Sequence, residues 1–322
     1  MADMIDKFKD DTIMKDSVSV TMVNAFGKKE LAVDAKGVFL DALSAFWSSF
    51  YDSCSNGEDE RVPAIRHDFQ LAEWESVGRI LVKGYQQLKF FPVKLNKAFI
   101  VAALFGEGEV TDVMLLNSFL GYLSRDEREL VSISIDNKLS EEQQEEWIEF
   151  LDRYNCKTIP KPEKVRSVIL EIAHREIIQY PLYIVESWSS PLTVMRQCLP
   201  TPSHVNELFD KAKPTNKKVL ALLYSSPVNS AQREAVSYLQ RYIRGLDEEK
   251  LTKLLRFCTG STMICVQRIA LEFTNLDGMA RRPVGHTCGS VLELPVTYKS
   301  YPEFREEMNS ILSSHYWEMD FL

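Results

Sequence analysis

What the sequence lacks narrows its function before any motif is considered. Its 322 residues hold no G-x-x-x-x-G-K-[ST] motif, and Gly106-Glu107-Gly108 lacks the G-x-G-x-x-G spacing. The backbone cradles that bind nucleotide phosphates are therefore missing. There is no G-x-S-x-G, and Gly260-Ser261 follows a helical pattern instead of a strand-to-helix elbow, which disfavours a serine hydrolase. No run approaches the roughly 18 apolar residues of a membrane span. The acidic start Met1-Ala2-Asp3-Met4-Ile5-Asp6 has no secretory apolar region. Basic residues are not in excess: 38 Lys and Arg stand against 46 Asp and Glu, a net charge of −8. That argues against a nucleic-acid partner, which calls for a basic domain or stripe. The six cysteines include no C-x-x-C pair. Without a secretory signal they read as reduced thiols in a cytoplasmic or nuclear protein.

What is present is ordinary globular material, 45% hydrophobic and 26% charged, and long enough for two domains. Residues 1–16 are charged, show no sustained period and read as a poorly ordered lead-in. Val18, Val20 and Met22 alternate with Ser19, Thr21 and Val23, which predicts a strand returning through 31–37. Phe39, Leu43, Phe46, Trp47 and Phe50 then recur at helical spacing, as do Trp74, Val77, Ile80, Leu81 and Tyr85. Further apolar faces run through Leu95–Ala103 and Val113–Leu123. Ser140 is placed to cap a helix bearing Trp147, Phe150 and Leu151. The next amphipathic stretch carries Val165, Ile169, Ile172 and Ile177. Between Pro181 and Pro214 the prolines predict short elements and broken helices. Lys213-Pro214-Thr215-Asn216 is polar and linker-like, and sets a domain boundary. Beyond it come helices ending at Gly245 and near Gly260, β-like runs Met263–Val266 and Ile269–Phe273, and a last helix opened by Ser300 and Glu303.

The chemistry concentrates in Arg281-Arg282-Pro283-Val284-Gly285-His286-Thr287-Cys288-Gly289-Ser290, followed by Val291-Leu292-Glu293-Leu294-Pro295. Glycines around the thiol point to close backbone approach or unusual dihedrals. His286, Cys288, Cys258 and Cys265 fit no zinc spacing, and His286-x-Cys288 is too tight for the usual pairs. Cys258 and Cys265 read as small buried hydrophobes. A papain-like cysteine needs a helix N-terminus, whereas Cys288 precedes a strand. His286 lies two residues away on an extended segment, and Arg281 and Arg282 are close in sequence, all able to favour a thiolate. These residues alone leave a nucleophile and a structural thiol equally open.

Four ordered blocks are more specific: Leu254-Leu255-Arg256-Phe257-Cys258-Thr259-Gly260-Ser261, His286-Thr287-Cys288, Leu292-Glu293-Leu294-Pro295 and Tyr298-Lys299-Ser300-Tyr301. Together they resemble the catalytic lobe of HECT-type ubiquitin-protein ligases over roughly residues 215–315. Asp34-Ala35-Lys36-Gly37-Val38, with Lys36 where the family has glycine, and Val77-Gly78-Arg79-Ile80-Leu81 resemble its N-terminal lobe more loosely. The resemblance implies a bilobal α+β fold. Residues 17–213 would form a mainly helical N-lobe, divergent from about 125, and 214–322 a smaller mixed α/β C-lobe, with a hinge near 214. It implies that Cys288 takes ubiquitin as a thioester from a ubiquitin-conjugating enzyme and passes it to a lysine of a protein substrate, with His286 and Thr287 in support. No metal or small cofactor is implied, nor any nucleic-acid or membrane partner. Family members often use an aromatic residue four places from the C-terminus. That place is Met319 here, leaving Trp317 or Phe321 to substitute and Asp320 or Glu318 to help deprotonate the acceptor. The alternative is a HECT-like interaction scaffold with weak catalysis, which the divergent 125–213 region and the altered tail favour.

Overall fold

The structure, a computed structural model, describes residues 1–21 and 35–313. The fold is mixed α+β and predominantly helical. Its described residues divide between two compact units. The first comprises Met1–Lys15, Trp47–Val82 and Pro92–Phe209, and the second the described parts of Asp16–Phe46, Lys83–Phe91 and Asp210–Leu322.

Helices α1 (Ala2–Phe8), α2 (Ala35–Cys54), α3 (Leu71–Leu88), α4 (Lys97–Phe105) and α5 (Asp112–Tyr122) follow one another, with a two-residue antiparallel pair, β1 (Ser55–Asn56) and β2 (Val62–Pro63), between α2 and α3. The residues before α2 behave differently from the sequence expectation. Ile5 and Phe8 of α1 are buried, and Arg79 of α3 donates to the carbonyls of Phe8 at 3.0 Å and Lys9 at 3.3 Å. A distant guanidinium thus satisfies the helix end, so the lead-in is a folded element of the first unit. Val18 is not in a strand. The Gln87 side-chain amide accepts from its N–H at 3.0 Å and donates to its carbonyl at 2.7 Å, doing the work of a neighbouring strand. Most of the predicted return segment lies outside the described residues.

The rest of the first unit is helical: α6 (Arg125–Ile135), α7 (Glu141–Arg153), α8 (Val165–His174), α9 (Leu182–Leu192) and α10 (Pro202–Ala212, which ends across the boundary with the second unit). Ser140 caps α7 in a capping box with Gln143. The proline-rich stretch breaks into short elements as expected, two 11-residue helices separated by a 3-10 turn and a loop. Pro181 precedes α9, Pro202 opens α10, and Pro191 sits one residue from the end of α9, where the chain tightens into a 3-10 turn at Thr193–Gln197. Buried Trp47, Phe50, Trp74, Phe99 and Trp188 anchor this unit's core, with Phe99 edge-on to Trp188 at 5.3 Å.

The second unit holds the site. Helix α11 (Asn216–Leu222) runs into β3 (Leu223–Tyr224), followed by α12 (Ser230–Arg244), α13 (Glu248–Thr259), β4 (Ile269–Thr274), β5 (Val284–His286), β6 (Val291–Pro295) and α14 (Tyr301–Ser313). The sheet order is β3-β4-β6-β5, parallel at its first two interfaces and antiparallel at the last. Leu271, Leu292 and Leu294 of the sheet share a buried cluster with Leu239 and Ile243 of α12, Leu254 and Leu255 of α13, and Phe304 and Met308 of α14. Each such side chain stabilises the unit by about 2 kcal/mol relative to exposure. Met263–Val266 is not a strand, because the Ser261 hydroxyl donates to Met263 O at 2.9 Å and accepts from Met263 N at 3.2 Å, turning the chain. At the expected boundary, Thr215 caps α11 and the Asn216 amide donates to the carbonyls of Ile243 and Leu246. A proline at either place would remove these bonds, not simply stiffen a linker.

Candidate active site

Cys288 stands at the tip of a hairpin. Strands β5 and β6 pair Val284 with Glu293, Gly285 with Leu292 and His286 with Val291, so Thr287-Cys288-Gly289-Ser290 forms the four-residue turn. Gly289 N donates to His286 O at 3.2 Å and Ser290 N to Thr287 O at 3.4 Å. Ser290 has φ 51°, the left-handed value that lets a four-residue turn re-enter its strand. Its carbonyl accepts from Ala270 N of β4 at 2.9 Å, tying the turn to the central sheet. Cys288 itself is half-buried.

Backbone contacts hold this turn in place. A Cβ on Gly285 would lie 2.0 Å from the carbonyl oxygen of Phe257, near the end of α13, so only glycine fits there. A Cβ on Gly37, in the first turn of α2, would lie 2.8 Å from both Cα and N of Cys288. Gly260 ends α13 with φ 75° and its N–H donates to Arg256 O at 2.7 Å. Its carbonyl accepts from the Ser44 hydroxyl at 2.9 Å, and Arg256 pairs with Asp41 at 2.8 Å. Thr259 Oγ1 donates to Leu255 O at 2.7 Å and accepts from Ser261 N at 3.2 Å. The Phe257–Ser261 stretch is thus a fixed corner, and the beginning of α2 packs against both it and the turn.

The charged groups near the turn have different partners. His286 Nε2 lies 2.8 Å from Glu293 Oε1 across the hairpin. Arg281, five residues earlier, is committed elsewhere: its partly buried guanidinium bonds Glu303 at 2.7 Å and Glu307 at 3.2 Å and lies 4.5 Å from the Tyr298 ring centroid. Burial pushes the Cys258 thiol up to about 12 and the Cys265 thiol up to about 11. Both are far from the reactive range at neutral pH. Among the described residues no cluster of three His, Cys, Asp or Glu side chains can hold a metal ion.

The structure brings His286, Thr287 and Cys288 together at one end of one hairpin. Trp317, Glu318, Met319, Asp320 and Phe321 lie outside the described residues. The sequence reading did not single out Glu293 as His286's partner, nor Gly37, Asp41 and Ser44 as supports of the corner. Hairpin register was the available signal for Glu293, because Val291 and Glu293 face away from Leu292 and Leu294. The α2 contacts span more than 200 positions and leave no local trace.

The corner, turn and hairpin occupy one stretch of sequence, and that stretch lies within a family match. Residues 217–320 match the HECT-domain (ubiquitin-transferase) family. The match supports a HECT-type ubiquitin ligase and bears out the likeness read from the four sequence blocks. It lies within the span of the second unit and leaves residues 1–216 outside it. A HECT domain implies the ubiquitin-transferase family, with ubiquitin and ubiquitin-conjugating enzymes as its general partners. No curated protein matches the chain in a sequence comparison. Among the described residues no helix is long and apolar enough to cross a membrane.

Proposed function

We propose that the chain is a HECT-type ubiquitin-protein transferase whose acceptor thiol is Cys288. The supporting observation is the position of this cysteine, at the tip of a backbone-anchored hairpin within the HECT-matching segment. In the first step Cys288 Sγ, as thiolate, attacks the thioester carbonyl that joins ubiquitin's C-terminus to a conjugating enzyme. The new Sγ–C bond forms, the old C–S bond breaks, and the departing thiolate takes a proton. In the second step a substrate lysine amine attacks the same carbonyl. A C–N bond forms, Sγ leaves as thiolate, and the amine's proton passes to a base. Splitting the transfer this way is covalent catalysis, and thioester-for-thioester exchange is near-neutral in energy. His286 and Thr287 flank the reacting centre, the first as a proton acceptor and the second in orienting the turn. No metal or small cofactor enters either step. In this reading residues 17–213 are the mainly helical N-lobe, divergent from about 125, and 214–322 are the C-lobe. Trp317, Asp320 and Phe321 assist the second step.

The test is incubation with a panel of charged ubiquitin-conjugating enzymes, followed by gel analysis with and without thiol reductant. A reductant-sensitive ubiquitin adduct that is lost in Cys288→Ala, with circular dichroism unchanged, is expected. An adduct that survives in Cys288→Ala would move the acceptor elsewhere. Absence of any adduct across the panel would leave a HECT-like scaffold.

A further inference from the structure

The His286–Glu293 pair goes beyond what the transfer reading requires. His286 is the last residue of β5, and its carbonyl already accepts the turn's Gly289 N–H. Its backbone is therefore fixed beside Cys288, while its ring is half-exposed and free to turn unless something holds it. Glu293 does so. It lies on the neighbouring strand, two positions along from the residue opposite His286, and its Oε1 meets Nε2 at 2.8 Å. Glu293 is itself steadied between Leu292 and Leu294, which are 1% and 0% exposed. A carboxylate only accepts hydrogen bonds, so the ring nitrogen facing it carries the proton. The neutral imidazole is then the Nε2–H tautomer, with Nδ1 left as the proton acceptor.

We propose that Glu293 is a positioning residue for ubiquitin transfer, holding His286 in the Nε2–H tautomer so that Nδ1 takes the proton of the incoming lysine amine. The inference rests on the transferase reading above. As the amine's C–N bond forms and the bond from carbonyl carbon to Cys288 Sγ breaks, the amine proton moves to Nδ1. The Glu293 carboxylate stabilises the resulting imidazolium, which then returns a proton to solvent or to the released Sγ. The same arrangement contributes little to the first step, in which a thiolate attacks and no amine is deprotonated. An exposed cross-strand pair adds little to stability. A purely structural Glu293 would therefore leave rates and tautomer unchanged when replaced.

The full chain is loaded with ubiquitin bearing a C-terminal mercaptoethanesulfonate thioester, which supplies the acyl group without a conjugating enzyme. The loaded chain is then discharged onto free lysine. Glu293→Ala is expected to load at the wild-type rate and to discharge about tenfold to a hundredfold more slowly, at or below the lower end of what general-base catalysis supplies, since His286 itself remains. Glu293→Gln, whose amide oxygen still accepts from Nε2–H, should recover part of that loss. Glu293→Ala should add nothing in a His286→Ala background. Nitrogen-15 NMR of the unloaded protein should show His286 as the Nε2–H tautomer, a preference lost in Glu293→Ala. Wild-type loading with unchanged discharge in Glu293→Ala, or an unchanged tautomer, would overturn the assignment and leave the transferase reading standing. Failure of the wild-type chain to load on Cys288 would overturn both.

Discussion

Gly285→Ala tests most directly whether the Cys288 hairpin is held by its main chain. The added methyl would lie 2.0 Å from Phe257 O and 2.9 Å from Phe257 C. Both are backbone atoms, so no rotamer change relieves the clash. Restoring an ordinary contact of about 3.4 Å requires the hairpin and the end of α13 to separate by over 1 Å. The strand can retreat only by straining its three-residue pairing with β6, and α13 only by disturbing the Gly260 cap and the Ser44 bond. Overpacking of this kind costs about 1–3 kcal/mol. At roughly 2–4 °C per kcal/mol, the melting temperature should fall by about 2–12 °C. The larger effect should be on Cys288, three residues along, because a misplacement of about 1 Å can cost on the order of a hundredfold in rate. Differential scanning fluorimetry and adduct formation from ubiquitin thioester read the two effects. Gly108→Ala is the control, since nothing lies within 4 Å of its added Cβ. It should change stability by less than about 0.5 kcal/mol. If Gly285→Ala melts and loads like Gly108→Ala, the backbone-anchoring argument is wrong.

Two further outcomes follow from the ionisable groups. Iodoacetamide at about pH 8 should label exposed Cys198 readily and spare Cys258, whose thiol at about 12 is only about one part in ten thousand thiolate. Peptide mapping that found Cys258 alkylated in folded protein would contradict its burial. Burial raises the Glu176 carboxyl above its ordinary range, with Arg175 opposing. The folded state therefore favours the protonated form, and stability is lost as pH rises from the ordinary carboxylate value through the raised one. Glu176→Gln should shift the urea midpoint upward relative to wild type as pH rises above the ordinary carboxylate value. Parallel midpoints across that range would refute the assignment.

The sequence exposed most of the helical framework because long amphipathic faces carry their own period. Trp74, Val77, Ile80 and Leu81 place α3, and Leu254, Leu255 and Cys258 place α13. It misled where a remote group decided the local structure. The alternation around Val18 resembles a strand, yet its backbone is met by the side chain of Gln87, 69 positions away. The first eight residues lack a period because two buried anchors, Ile5 and Phe8, are enough once Arg79 takes the helix end. Proline density between 181 and 214 did mark real interruptions, since α9 ends just after Pro191 and a 3-10 turn and a loop precede α10. At the site, the His286-Thr287-Cys288 block and the strand after it were legible as a local motif. The contact of Gly37 with Cys288 was not, since nothing near Gly37 marks which distant turn fills the space its missing side chain leaves.

The hairpin tip has a consequence for how the protein tolerates change. Gly285 meets a peptide carbonyl, Gly37 meets the main chain of Cys288, and the turn's last carbonyl meets a peptide N–H of β4. The position of the sulfur is thus set by peptide groups, while the side chains around it govern reactivity. Placement and reactivity then form two separable mutational targets. A library varying Thr287 and Gly289 would explore the chemistry at a fixed address, whereas one varying Gly37 and Gly285 would move the address itself. Serine or selenocysteine at 288 would inherit the same mounting, so that the atom at the tip changes while its address does not.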